Sequence, residues 1–152
     1  MNALGKDVAA ILLPLHAFDQ TDVAAGGAGD NAQIVGSSID LLSLATHAQS
    51  VAFVVPAEAT LGQDETLTVT ADIQQSADGS TWSELVASQT ILTLTGGTGG
   101  STEKSAAKIG ADLTKGDRYV RVRVTPDLSR ANTDTAKVMG AAVFGGLQEL
   151  PQ

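Results

Sequence analysis

The strongest constraint in this chain is an alternation. Leu67, Val69, Ala71 and Ile73 take every second position, and Thr66, Thr68, Thr70 and Asp72 fill the gaps. Successive side chains on a β-strand point to opposite faces, so this order sets an apolar face against a polar one. A helix would scatter the same residues around its circumference. The pattern returns at Tyr119–Thr125, where Val120, Val122 and Val124 share one side and Tyr119, Arg121 and Arg123 the other. Two half-apolar strands need a second layer to cover them, and a second sheet is the simplest cover.

Shorter signals fill in the rest. Ile39 and Leu41, extended to Leu42 and Leu44, read as one strand. Val51–Val55 reads as another, ended by Pro56. Asp78-Gly79 supplies a hairpin turn, because glycine accepts positive φ at no steric cost. Trp82 leads into the return strand, which Ile91–Thr95 continues. Gly96–Ser101 has the composition of a flexible linker, Thr102–Ala111 reads as a short helical or irregular excursion, and Lys115-Gly116-Asp117 is a turn. Pro126 closes the strand at 119–125, and Val138–Phe144 is the last. The expected fold is therefore all-β: an antiparallel β-sandwich, jelly-roll or Ig-like, of about seven to eight strands with an N-terminal arm. Residues 1–30 form that arm or an edge segment, and residues 31–152 form the sandwich domain.

Composition narrows function by exclusion. Nine Lys and Arg against seventeen Asp and Glu leave a net charge of −8 in 152 residues. Such a chain lacks the basic footprint of a nucleic-acid binder and has no pull toward anionic lipid. With no cysteine, thiolate metal sites and redox motifs are excluded. The longest apolar run, Val8–Leu15, is interrupted by Pro14 and is far short of a spanning helix. His16 and His47 have no G-x-S-x-G partner motif. Gly27-Ala28-Gly29-Asp30-Asn31-Ala32 fits a loose dinucleotide pattern, but a strand follows it where a helix is required, and Asp30 would repel a pyrophosphate. Asp78-Gly79-Ser80 lacks the spacing and the distant Glu of a calcium loop. No catalytic, cofactor-binding or metal-binding residues are expected, and no cofactor. Five aromatic residues are too few for a glycan platform.

Two groups remain as candidates for contact with a partner. One is the apolar N-terminal set Leu4, Ile11, Leu12, Leu13, Leu15 and Phe18, either a docking arm or an edge strand or helix that completes the core. The other is the stripe Tyr119, Arg121 and Arg123, since Tyr and Arg are enriched among interface anchors. Its alternative reading is a solvated face whose arginines pair with cross-strand acids.

Several segments carry a family resemblance. Gly29-Asp30-Asn31 followed by Gly36-Ser37-Ser38-Ile39-Asp40, the hairpin Ser76-Ala77-Asp78-Gly79-Ser80-Thr81-Trp82, and the strand Arg118–Pro126 occur in this order. So do Thr133-Asp134-Thr135-Ala136, Val143-Phe144-Gly145-Gly146 and Leu150-Pro151. Together they resemble a group of small virion structural proteins of tailed bacteriophages, over residues 29–151. The resemblance implies a non-enzymatic role in the virion. The expectation is a capsid decoration or cement protein, made in the host cytoplasm and placed on the head exterior, that contacts the major capsid protein and neighbouring copies of itself. A tail component (tube, terminator or fibre-associated subunit) is the first alternative, and a secreted glycan-binding module or hydrolase the second.

Overall fold

The computed structural model describes residues 8–44, 47–129 and 133–147. A four-residue helix, α1 (Val8–Ile11), precedes nine strands: β1 (Leu13–Ala24), β2 (Ile34–Val35), β3 (Ile39–Asp40), β4 (Ser50–Leu61), β5 (Thr66–Ser76), β6 (Ser83–Thr95), β7 (Ser101–Asp112), β8 (Tyr119–Leu128) and β9 (Thr135–Gly145). They form two antiparallel sheets, one in the order β1-β9-β4-β7, the other β2-β8-β5-β6 with β3 also on β8. The chain is an all-β sandwich.

The pairings are nested. The tight β5–β6 hairpin lies innermost, β4 with β7 encloses it, β2 and β3 with β8 enclose that, and β1 with β9 lies outermost. If β2 and β3 are counted as one interrupted strand, eight strands pair as one long ribbon rolled over itself. This is the jelly-roll order, and the Ig-like alternative falls away.

The core lies between the sheets. Val120, Val122 and Val124 of β8 and Leu67, Val69 and Ile73 of β5 face Val55 and Phe53 of β4 and Val138 and Phe144 of β9, all at most 1% exposed. The two alternations read from sequence are therefore the inner and outer faces of adjacent strands.

Prolines did not end the strands they were expected to end. β4 runs through Pro56 to Leu61, with Pro56 opposite Ala106. Proline has no N–H to donate, and pairing of β4 to β9 skips Val55 and Pro56 while continuing on both sides. β8 likewise runs through Pro126 to Leu128. The strand expected over 39–44 stops at Asp40. There the Asp40 carboxylate accepts from the Leu42 N–H at 3.0 Å and turns Leu41–Ser43 into a 3-10 helix.

The glycine run is not a loose linker. Gly96 donates to Glu65 O (2.9 Å) and accepts from the Asp64 N–H (3.0 Å), and Gly99 donates to Gln63 Oε1 (3.1 Å). A side chain at Gly96 would overlap the Gly62 carbonyl, so glycine is what lets the chain cross from one sheet to the other here. The supposed excursion at 102–111 is β7, in register with β4 along its whole length. Its Glu-Lys-Ser-Ala-Ala-Lys sequence hides the alternation because, among the residues of this edge strand, only Ile109 is fully buried.

The N-terminal region is woven into the four-stranded sheet. β1 is an edge strand on β9, with Leu13 opposite Phe144 and Ala24 opposite Thr135. Phe18 is 5% exposed, and its ring lies over Gly140, where any Cβ would collide with it.

Candidate docking surface

β8 organises the outer face of its sheet. Its inward valines fix the register, so Tyr119, Arg121 and Arg123 must point out. In that register they stand opposite Ser76, Gln74 and Asp72 of β5. Arg123 Nε donates to Asp72 Oδ2 at 2.8 Å. Arg121 donates from both Nε (2.9 Å) and Nη2 (2.7 Å) to Gln74 Oε1. Asp72 and Gln74 are buried although they lie on the outer face, in keeping with arginines that fold over them. The cross-strand pairing weighed for this stripe is thus present at Arg123.

The hairpin delivers an aromatic to the same place. Asp78 Oδ1 accepts from the N–H groups of Thr81 (2.7 Å) and Ser80 (2.8 Å) and from the Ser76 hydroxyl (3.0 Å). These bonds, that of Thr81 first, hold the Asp78 carboxyl far below the usual carboxylate range. The turn so fixed carries Trp82 over Arg121, with the guanidinium carbon 3.9 Å from the ring centroid, a cation–π contact. Gly79, at φ 76°, lies beside the Tyr119 ring.

A third segment closes the patch. Arg118 makes a bidentate pair with Asp40, Nε to Oδ1 at 2.9 Å and Nη2 to Oδ2 at 2.7 Å. Its guanidinium carbon lies 4.9 Å from the Tyr119 ring centroid. The hydrogen bond to Asp40 raises the Arg118 pKa, and the same bond lowers that of Asp40. Arg121 behaves oppositely: burial lowers its pKa, Arg123 adds to the effect, and Asp72 opposes it. Asp30, in the turn after β1, caps from the far end, accepting from the Leu128 N–H at 2.9 Å.

The structure therefore brings Tyr119, Arg121 and Arg123 together and adds Trp82, Arg118, Asp40, Gln74 and Asp72, which were not singled out as contacts. A usable signal existed for Asp72, which occupies the polar face of the β5 alternation. Trp82 gave none beyond its place beside a tight turn. Of the N-terminal candidates, Leu13, Leu15 and Phe18 lie in β1 of the other sheet. Ile11, Leu12, Leu13 and Leu15 are half-buried, and Leu13 and Leu15 pack against the core. Phe18 is a core residue. Leu4 lies outside the described residues. His16 Nε2 sits 3.1 Å from Asp19 Oδ1 on the exposed edge. Among the described residues no group of three His, Asp or Glu side chains is placed to hold a metal, and no helix is long and apolar enough to cross a membrane.

The Asp78 turn has a pH signature. A depressed carboxyl contributes stability that is present above its ordinary value of 3.8 and is lost as pH falls through the folded one. The stability contributed by this turn is expected to be flat above about pH 5 and to fall below about pH 4. Urea midpoints followed through Trp82 fluorescence measure this. Asp78→Asn is expected to lower the midpoint at neutral pH and to flatten the acid slope; an unchanged slope would show that the turn carries none of it.

No known family model matches the chain, and no curated protein matches it. Some solved structures are similar to it in part. One is a chain in the structure of infectious bursal disease virus, Gx strain (TM-score 0.47, 15% identity, 91% of this chain and 34% of that one). Another is the PBSX exported protein XepA (TM-score 0.44, 15% identity, 92% and 39%). A third is the Clostridium thermocellum xylanase 10B CBM22-1–GH10 protein (TM-score 0.38, 11% identity, 95% and 28%). This chain spans roughly a third of the length of each.

Proposed function

We propose that the chain is a non-enzymatic virion structural protein of a tailed phage, a decoration protein that sits on the head exterior and bridges major capsid subunits. One observation carries the reading. Three of the segments that resemble small phage virion proteins, residues 36–40, 76–82 and 118–126, are far apart in sequence yet meet on a single surface. They meet through Asp40–Arg118, Gly79–Tyr119 and Trp82–Arg121. Residues 29–31 reach the same strand through the Asn31 N–H, which donates to Pro126 O at 2.8 Å. Trp, Tyr and Arg held rigid on a sheet are the residue types that dominate interface energetics.

The physical task follows from the lattice. DNA packed in a head pushes outward, and a clamp across a subunit seam resists separation. A protein that binds only the assembled lattice stabilises it by mass action, and many copies make modest contacts effective. The acidic surplus faces solvent, away from DNA.

Purified protein is expected to co-sediment with heads from a strain lacking its gene, and those heads are expected to survive heating better once decorated. Electron microscopy of the particle with the chain gold-labelled locates it. Label on the tail, with no binding to heads, overturns the decoration role in favour of a tail component.

A further inference from the structure

Three arginines of the patch have different partners. Arg118 is bidentate to the Asp40 carboxylate, and Arg123 bonds the Asp72 carboxylate. Arg121 meets only a neutral amide oxygen. Gln74 takes the side-on edge of its guanidinium, Nε and Nη2, and Trp82 covers one face. The end-on edge, Nη1 with the outer proton of Nη2, bonds nothing among the described residues. That edge is the fork that matches a carboxylate in two parallel hydrogen bonds.

The nearby acids are engaged or out of reach. Asp72 is held by Arg123, and Asp78 is saturated by its own turn. Glu84, on the far side of Gln74 in β6, makes no ion pair with Arg121. Arg121 is thus the arginine of the patch that has no carboxylate bonded to its guanidinium. Position 74 matters most. A glutamate there would accept the same bonds and cancel the charge, whereas the glutamine orients the guanidinium and leaves its charge available.

We infer that Arg121, clamped by Gln74 and Trp82, is a preformed receptor for a protein carboxylate, an Asp or Glu side chain or a C-terminus of the partner. This rests on the docking role proposed above and names the chemistry of that contact. Its specific consequence is that neutralising Arg121 from within, without removing it, abolishes the interaction.

The test uses the full chain, as wild type, Gln74→Glu and Arg121→Gln. Two probes are used: heads lacking the protein, by co-sedimentation, and poly-L-glutamate, by the fluorescence of Trp82, the chain's single Trp. Arg121→Gln is expected to weaken both about 30-fold or more, as truncation of one partner in a buried charge pair does. Q74E is expected to weaken both about tenfold while its thermal midpoint stays level or rises, because it gains an internal ion pair. Equal binding of heads by wild type and Q74E, both folded, overturns the carboxylate receptor and leaves the decoration role standing. Binding of poly-L-glutamate that depends on Gln74, with no binding of heads, supports the receptor and overturns the head as its partner. No response to either probe overturns both.

Discussion

Phe144→Ala is expected to lower the unfolding free energy by about 3–5 kcal/mol, the usual cost of truncating a buried phenylalanine. Total stability of a domain this size is about 5–15 kcal/mol, so the loss takes a large share of it. Phe144 has no accessible surface. It stands on β9 between Leu13 of β1 and Val51 of β4, and both neighbours are fixed by ladders that cannot close on the space left behind. The core has few other large groups. Only Phe53 and Phe144 are fully buried aromatics, and the rest is mainly Val, Leu, Ile and Ala. Small side chains cannot swing in to fill a phenyl-sized cavity, which puts this site toward the upper part of the range. Urea unfolding followed by circular dichroism measures the change. A loss below about 1 kcal/mol would mean that the sheets collapse onto the void more freely than the pairing allows.

Phe18→Ala is expected to cost about 3 kcal/mol and to act locally first. β1 departs from regular register on both sides of Phe18, between His16 and Phe18 and between Phe18 and Thr21. The ladder is therefore weakest where the ring enters the core over Gly140, and that ring does much of the anchoring. Without it, β1 is expected to fray and to uncover the edge of β9. Native-state hydrogen exchange should accelerate over residues 13–24 before the central strands respond, and the exposed edge should promote association at high concentration. Uniform acceleration through both sheets would show instead that β1 is inseparable from the core. The result bears on function too, since a segment bound this way offers a partner its exposed side chains and free edge but not Phe18.

How much of this was legible follows from particular residues. β5 and β8 were plain because each buries large β-branched or Leu side chains on one face and shows Thr or Arg on the other. β7 was not, because its single fully buried side chain, Ile109, sits among alanines and lysines that suit a helix equally well. The ends of β4 and β8 were missed through Pro56 and Pro126. A proline is tolerated where the neighbouring strand has lapsed or ended, and that depends on tertiary register, which no local window contains. For the docking surface, the outward direction of Arg121 was readable from the alternation. Its partners were not: Gln74 and Trp82 lie 47 and 39 positions earlier in the chain, and only the β5–β8 register and the hairpin bring them near.

The nested pairing also dictates an order of events. The β5–β6 hairpin closes a short loop, whereas β1 must find β9 across nearly the whole chain, Leu13 against Phe144. Closure entropy grows with the span, and folds dominated by distant contacts are slow, on the order of milliseconds to seconds. On a ribosome the outermost pair cannot form until β9 has left the exit tunnel. Until then β1 is an unpaired amphipathic strand of twelve residues, open to neighbours doing the same. A protein made in many copies at once would meet this hazard at every synthesis, and the bulges flanking Phe18 together with Pro14 make β1 a poor template for another chain.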